Sequence, residues 1–162
     1  DEFAALGVQQ FVLIGMAGGL QPELKTGSLV ISTTAIRGEG VSQHYLPPHA
    51  TVDSSQEIAR GLSAMLTRHD QPYTSGITWT TDAPFRELRS IVLEHQRAGV
   101  LAVDMEAAAL LSVARSIDRS AVAAFSIADQ LADGHWKMSN NLRPAQKGLT
   151  ILFDAMFEYL SL

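Results

Sequence analysis

The sequence contains no cysteine among its 162 residues, which excludes disulfide bonds and thiolate metal ligands. It also lacks any apolar run close to the ~20 residues that a membrane-spanning helix requires. Acidic side chains outnumber basic ones by 17 to 12, so the net charge of −5 argues against nucleic acid or an anionic membrane as the main partner. The 5 histidines show no metal-ligand spacing such as His-Glu-x-x-His, and no metal site is expected.

The first residues of the chain carry neither a basic segment nor an apolar segment of the kind that forms a signal peptide. A cytoplasmic protein is therefore expected. The chain does not begin with methionine and opens in what looks like the end of a helix, so an N-terminal part is expected to be missing. With 46% apolar residues, positions 1–162 are predicted to form a single domain around one core.

Short apolar segments rich in Val and Ile alternate with amphipathic segments along most of the chain. Strands are predicted at residues 10–15, 27–36, 73–81, 100–103 and 120–128, and helices at 54–68, 85–96, 106–117 and 146–160. This alternation predicts an α/β fold with a mixed central sheet flanked by helices. Because ligands of such folds bind at the carboxyl ends of strands, the polar residues that follow each strand are the candidates for a site.

Three acidic side chains lie at such positions. Asp104 and Glu106 flank Met105 where a predicted strand becomes a helix, and both could either cap that helix or hold a ligand. Asp129 follows an apolar strand, where it could cap a loop or act as a general acid with a raised pKa.

Two further features have both a structural and a functional interpretation. Residues 15–19 are predicted to form a small-residue turn whose backbone N–H groups could hold an anion, although the segment matches neither the dinucleotide-binding fingerprint nor the P-loop. Trp79 ends a predicted strand, so it could pack in the core or stack on a planar ligand.

Five motifs in a single order resemble the nucleoside phosphorylase family, which includes hexameric purine nucleoside phosphorylases, uridine phosphorylases and methylthioadenosine nucleosidases. The resemblance runs from about Phe3 to the C-terminus. Its most specific motif is Val-Asp-Met-Glu-Ala-Ala-Ala at 103–109, supported by Gly-Met-Ala-Gly-Gly-Leu at 15–20 and Gly-Ser-Leu-Val at 27–30. Segments 37–45 and 80–85 resemble the uridine phosphorylase branch. The resemblance implies a three-layer, phosphorylase/hydrolase-like sandwich.

The resemblance also implies roles for individual residues. Glu106 would hydrogen-bond the ribose hydroxyls, and Asp129 would protonate the base nitrogen, as in purine-specific members. Substrate-binding positions are Asp104, Met105, Trp79, Pro84 and Phe85, and positions beside the phosphate are Gly15, Met16, Ala17 and Gly18. No cofactor is implied; inorganic phosphate would be the co-substrate and a nucleoside the substrate. Self-association as a dimer or hexamer is implied as well.

Some positions depart from the family pattern. Leu13 stands where phosphorolytic members carry arginine, and Met16 stands where they carry Ser or Thr; neither side chain can hydrogen-bond phosphate. A nucleosidase that uses water, and a non-catalytic nucleoside-binding or degraded paralogue, are therefore alternatives to a phosphorylase. Leu88 and Ser90 replace the Gln and Arg with which the uridine branch reads its base. Asp129 favours a purine over a pyrimidine substrate.

Overall fold

A computed structural model describes residues 2–132 and 135–162 of the chain. The strands are β1 (Gln10–Gly19), β2 (Leu29–Gly38), β3 (Tyr73–Thr81), β4 (Ala102–Asp104), β5 (Ser120–Ala132) and β6 (His135–Lys137). The α-helices are α1 (Glu2–Ala5), α2 (Gln56–Arg68), α3 (Arg89–Arg97), α4 (Ala107–Ser116) and α5 (Arg143–Leu160), and short 3₁₀ helices cover Ser42–His44 and Pro84–Arg86. The predicted α/β class is confirmed.

The strands form one mixed sheet whose pairings close on themselves. The strand order is β1-β4-β3-β2-β5-β6, and β1 also pairs with β5. The β1–β5, β2–β3 and β3–β4 pairs are parallel, whereas β1–β4, β2–β5 and β5–β6 are antiparallel. Because β1 lies between β4 and β5, strands β1 to β5 form a ring, and β6 extends from β5.

Helices pack on both faces of the sheet, as the sequence predicts. Side chains of a strand alternate between its two faces, and β5 shows this clearly. Ala121, Ala123 and Phe125 share a buried cluster with α4, whereas Val122 and Ala124 pack with α2 and α5. The run of apolar residues in β5 is explained by this burial on both faces.

Several predicted boundaries match the structure closely. β3 covers the predicted residues 73–81, and Ser55 caps α2 by accepting a hydrogen bond from the backbone N–H of Ile58. Helix α5 begins at Arg143, a few residues before the predicted start, because Pro144 occupies its first turn, where a missing N–H does no harm.

The predicted turn at residues 15–19 is wrong, because β1 continues to Gly19. Gly15 pairs with Phe125 of β5, and Gly18 pairs with both Val103 of β4 and Asp129 of β5. A cluster of glycines suggests a turn, but here the missing side chains let residues of the neighbouring strands approach β1 closely. A Cβ atom on Gly19 would lie only 3.2 Å from the side chain of Ile127.

The helix predicted at residues 85–96 begins later than expected. A 3₁₀ turn covers Pro84–Arg86, and the backbone then becomes extended at Glu87 and Leu88 (ψ 104° and 130°) before α3 starts at Arg89. Glu87 therefore lies in extended backbone before α3, and not on the face of a helix as the amphipathic pattern predicts.

Helix α5 is the longest helix and carries apolar side chains on its outer face. Phe153 and Phe157 are exposed there, with ring centroids 6.2 Å apart. Its inner face packs in the cluster that includes Leu152 and Ala155. Within the described ranges, neither α5 nor another helix is long and apolar enough to cross a membrane.

Candidate active site

A cavity of about 350 Å³ opens where β1, β4 and β5 meet the start of α4. Volume does not select it, because a cavity of about 440 Å³ lies elsewhere, at the start of α2. The cavity is distinguished instead by the acidic side chains in its lining. The lining combines small or apolar groups with four carboxyl side chains: Met16, Ala17, Gly18, Thr81, Pro84, Glu87, Val103, Asp104, Met105, Glu106, Ala128, Asp129 and Trp136.

Most of the residues predicted from the sequence share this cavity, although they come from distant parts of the chain. The predicted positions that line it are Met16, Ala17, Gly18, Pro84, Asp104, Met105, Glu106 and Asp129. Glu106 and Asp129 thus face one space. The roles assigned to these residues stay predictions at this point.

Three predicted residues lie outside the lining. Trp79 is only 6% exposed and packs in the core, with its ring centroid 4.7 Å from that of His95. Phe85 is 98% exposed on the 3₁₀ turn. Gly15 sits within β1, and a Cβ atom there would contact the Phe125 ring at 3.7 Å. For Trp79, the structure matches the core-packing interpretation.

Asp104 builds the junction between β4 and α4. It is 4% exposed, and its Oδ1 accepts hydrogen bonds from the backbone N–H groups of Glu106 (2.9 Å) and Ala107 (2.7 Å). The Thr80 hydroxyl donates to it at 3.1 Å and accepts from the N–H of Ala108 at 2.9 Å. Burial raises the pKa of Asp104 to about 6, although these hydrogen bonds lower it. Asp104 therefore fixes the first turn of α4.

Glu106 occupies the N-cap position of α4, but its side chain makes no capping hydrogen bond. The two acids that looked equivalent in the sequence thus differ. Asp104 accepts hydrogen bonds from the first backbone N–H groups of α4, whereas the Glu106 carboxylate caps nothing and lines the cavity. Both Glu106 and its neighbour Met105 are exposed on the cavity side, with Met105 at 46%. A carboxylate at a helix N-terminus is favoured by the helix dipole.

Asp129 lines the cavity at a point where β5 is irregular. Ala17 pairs with Ile127 and Gly18 with Asp129, so Ala128 is an extra residue in β5. Asp129 is half-buried, and burial raises its pKa. A carboxyl group in such a position can hold a proton for donation to a ligand.

Gly18 leaves the space that an aromatic ring fills. A Cβ atom at Gly18 would lie 2.5 Å from the Trp136 ring and 3.2 Å from Oδ1 of Asp129. The absence of a side chain at position 18 therefore lets the Trp136 ring and the Asp129 carboxyl lie side by side. Trp136 is 40% exposed, so part of its ring is available to a ligand.

Glu87 and Trp136 are site residues that the sequence did not predict. Glu87 follows the 3₁₀ turn in extended backbone and lines the cavity. Burial raises its pKa to about 7; a hydrogen bond from Trp136 lowers it and the charge of Asp129 raises it. A charge on an amphipathic pattern normally indicates a solvated face, so no sequence signal marked Glu87. In spite of these acids, no cluster of metal-binding type is found in the described part of the chain.

The chain is similar in sequence to several proteins named as nucleoside phosphorylases. The chain matches a uridine phosphorylase of Haemophilus influenzae (26% identity, 72% of this chain, 52% of that protein). It matches a guanosine phosphorylase of Halorubrum lacusprofundi (27%, 85% and 57%) and a purine nucleoside phosphorylase of Myxococcus xanthus (27%, 94% and 61%). The chain thus spans between about half and three fifths of the length of these relatives.

A solved structure supports the same fold. The structure described as the P knowlesi homolog of P falciparum PNP superposes with a TM-score of 0.83 at 20% sequence identity. That match covers 99% of this chain and 66% of the other chain. The family model described as the phosphorylase superfamily matches residues 2–158, which include every strand and nearly all of α5. Glu106 and Asp129 therefore line a cavity of the phosphorylase superfamily fold, and this chain belongs to that superfamily.

Proposed function

We propose that this protein is a nucleoside phosphorylase, which cleaves the bond between ribose and base with inorganic phosphate and releases ribose 1-phosphate and free base. The observation that carries the proposal is the presence of Glu106 and Asp129 in the lining of a single cavity. The names of its relatives, which include uridine, guanosine and purine nucleoside phosphorylases, support this reaction class.

Glu106 is proposed to hold the sugar. Its carboxylate makes no capping bond and can accept hydrogen bonds from the ribose hydroxyls, while Met105 packs against the ring. Glycosidic cleavage places positive charge on the ribose, and a nearby carboxylate stabilises that charge. Held by the junction that Asp104 builds, Glu106 is positioned before the substrate arrives.

Asp129 is proposed to act on the base. The departing base gains negative charge as the glycosidic bond breaks, and a protonated carboxyl neutralises it by donating its proton to a ring nitrogen. The raised pKa of Asp129 supports this role, because burial increases the protonated fraction near neutral pH. This role favours a purine, whose imidazole nitrogen can accept the proton.

A hydrolytic nucleosidase is the second candidate, and the cavity's β1 wall favours it. Met16 lines the cavity there and cannot hydrogen-bond phosphate through its side chain, and Leu13 on the same strand cannot either. Water would then replace phosphate as the nucleophile.

The test is to incubate the full-length protein with inosine, adenosine and uridine, with and without phosphate, and to measure the free base released. Release that depends on phosphate, with ribose 1-phosphate as the second product, is the expected result. Equal release without phosphate would assign the nucleosidase reaction instead. Self-association as a dimer or hexamer is part of the same proposal, and sedimentation that shows only monomer counts against it.

A further inference from the structure

Glu87 is a fourth acidic side chain of the cavity for which the proposed reaction has no use. It lies on a segment of extended backbone between a 3₁₀ turn and α3, and it lines the cavity together with Asp129 and Trp136. Its Oε2 atom is shielded from solvent and has no hydrogen-bond partner among residues 2–132 and 135–162.

A shielded carboxyl oxygen without a partner is unfavourable, since a desolvated acceptor loses the hydrogen bonds it makes to water. Such groups are rare in folded proteins and each one requires an explanation. The position of Glu87 in the wall of a cavity provides one. An occupant that brings an N–H donor would supply the missing partner.

The neighbours of Glu87 indicate which part of a nucleoside it would meet. The charge of Asp129 raises the pKa of Glu87 and the Trp136 indole lowers it, and all three side chains line the cavity beside Gly18, where the Trp136 ring and the Asp129 carboxyl lie side by side. Glu106 is not among the charges that shift the pKa of Glu87. Since Asp129 is assigned to the base and Glu106 to the ribose, Glu87 lies on the side of the base.

We propose that Glu87 reads the base edge and selects nucleosides whose base carries a ring N–H beside a carbonyl group, such as inosine, guanosine and uridine. This inference rests on the proposed function. An ionised carboxylate only accepts hydrogen bonds, so it pairs with a ring N–H. Adenosine and cytidine present an unprotonated ring nitrogen at the equivalent position, and two acceptors would then face each other across a dry gap.

The charges around Glu87 determine the conditions for a test. Asp129 faces it, Asp104 and Glu106 lie across the cavity, and Arg86 and Arg89 flank it on its own segment. Because the pKa of Glu87 is raised to about 7, assays at about pH 8.5 keep its carboxylate form dominant. At that pH the loss of one hydrogen bond to a charged group should make the site reject a base without the N–H by on the order of 10²-fold.

The experiment compares kcat/KM for inosine with adenosine, and for uridine with cytidine, in wild type, Glu87→Gln and the control Glu94→Gln. Glu94 is an exposed acid on α3 outside the cavity lining. Wild type and Glu94→Gln are expected to prefer the N–H base in whichever pair is cleaved. Glu87→Gln should bring the ratio to within about threefold, because an amide can both donate and accept. A wild-type ratio retained in Glu87→Gln overturns the proposal.

Binding of the free bases separates this inference from the proposed function. Calorimetry with hypoxanthine against adenine, and uracil against cytosine, requires no catalysis. If no nucleoside is cleaved but the N–H base binds more tightly, and Glu87→Gln removes that preference, the assignment of Glu87 stands and the phosphorylase proposal falls. If wild type discriminates neither pair of bases, the assignment of Glu87 is wrong.

Discussion

The two sides of the cavity are built by different physical means. The Asp104–Glu106 side is a hydrogen-bonded junction in which one buried carboxyl and one threonine hydroxyl satisfy three backbone N–H groups. The side of Glu87, Asp129 and Trp136 depends on shape and desolvation instead: Glu87 and Asp129 have raised pKa values, and an oxygen of Glu87 lacks a partner in the described structure. The first side suits a group that must be held in place, and the second suits a group that exchanges protons.

The largest expected effect comes from removing the proton of Asp129. Asp129→Asn should lower kcat for a purine nucleoside roughly 10²- to 10⁴-fold, the range typical of a lost general acid. The melting temperature should stay close to that of wild type, because the substitution preserves shape. Steady-state kinetics and thermal unfolding measure the two quantities.

Asp118→Asn is the matched control for that variant. Asp118 is exposed and has φ +56°, a conformation that asparagine also tolerates. An unchanged kcat in Asp129→Asn would show that Asp129 donates no proton, and the proposed difference between the two sides of the cavity would then be wrong.

The next effect is on stability and belongs to the junction. Asp104→Ala leaves the N–H groups of Glu106 and Ala107 without their acceptor. Loss of such a cap and its buried bonds should lower the free energy of unfolding by about 2 to 4 kcal/mol. Asp104→Asn keeps an acceptor oxygen and should retain most of the stability. Chemical denaturation compares them; equal losses in both variants would show that the hydrogen bonds do not hold the junction.

A smaller effect is expected at Gly18. Gly18→Ala places a Cβ atom 2.5 Å from the Trp136 ring, which must move away from Asp129. Because the contact is with the far end of a side chain, stability should change little, while the Kd for a free base should rise about 10-fold, or ~1.4 kcal/mol. Gly15→Ala on the same strand meets ordinary contacts at 3.7 Å and serves as the control. Calorimetry that finds equal Kd values in the two variants would contradict the role of Gly18.

The junction also predicts a pH dependence of stability. Burial raises the pKa of Asp104 from an ordinary value of 3.8 to about 6. The part of its contribution that depends on pH is therefore complete below about pH 4, where it is protonated, and is lost as the pH rises through about 6, while the hydrogen bonds to the backbone remain. The free energy of unfolding of wild type, relative to Asp104→Asn, should fall between these pH values. A difference that stays constant with pH would show that Asp104 is not desolvated.

How far the sequence predicts this molecule depends on how local each signal is. The strand at 73–81 and the Ser55 cap follow from alternation and capping preferences over a few residues. Asp104, Glu106 and Asp129 are candidates because they follow predicted strands, whose carboxyl ends bind ligands in α/β folds, and the family resemblance supplies their roles. Which of the first two caps the helix could not be predicted, since both have suitable spacing.

The errors arise where distant segments determine the local structure. Glycine at 15–19 predicts a turn on its own, but pairing with β4 and β5 makes the segment a strand. Glu87 and Trp136 are far apart in sequence and meet only through the fold. For Trp79, the family resemblance implied a place in the base pocket, whereas the structure buries it in an apolar cluster with Val92 and Val103.

The extra residue at Ala128 makes the chemistry of the cavity depend on the length of a single strand. Upstream, the odd-numbered side chains of β5 from Ala121 face α4. Deleting Ala128 would place Asp129 directly after Ile127, still opposite Gly18, and would remove the local kink that an extra residue introduces into the strand. The eight pairs upstream would keep their partners. A one-codon deletion would thus alter the setting of the Asp129 carboxyl while the ladder upstream of it keeps its register.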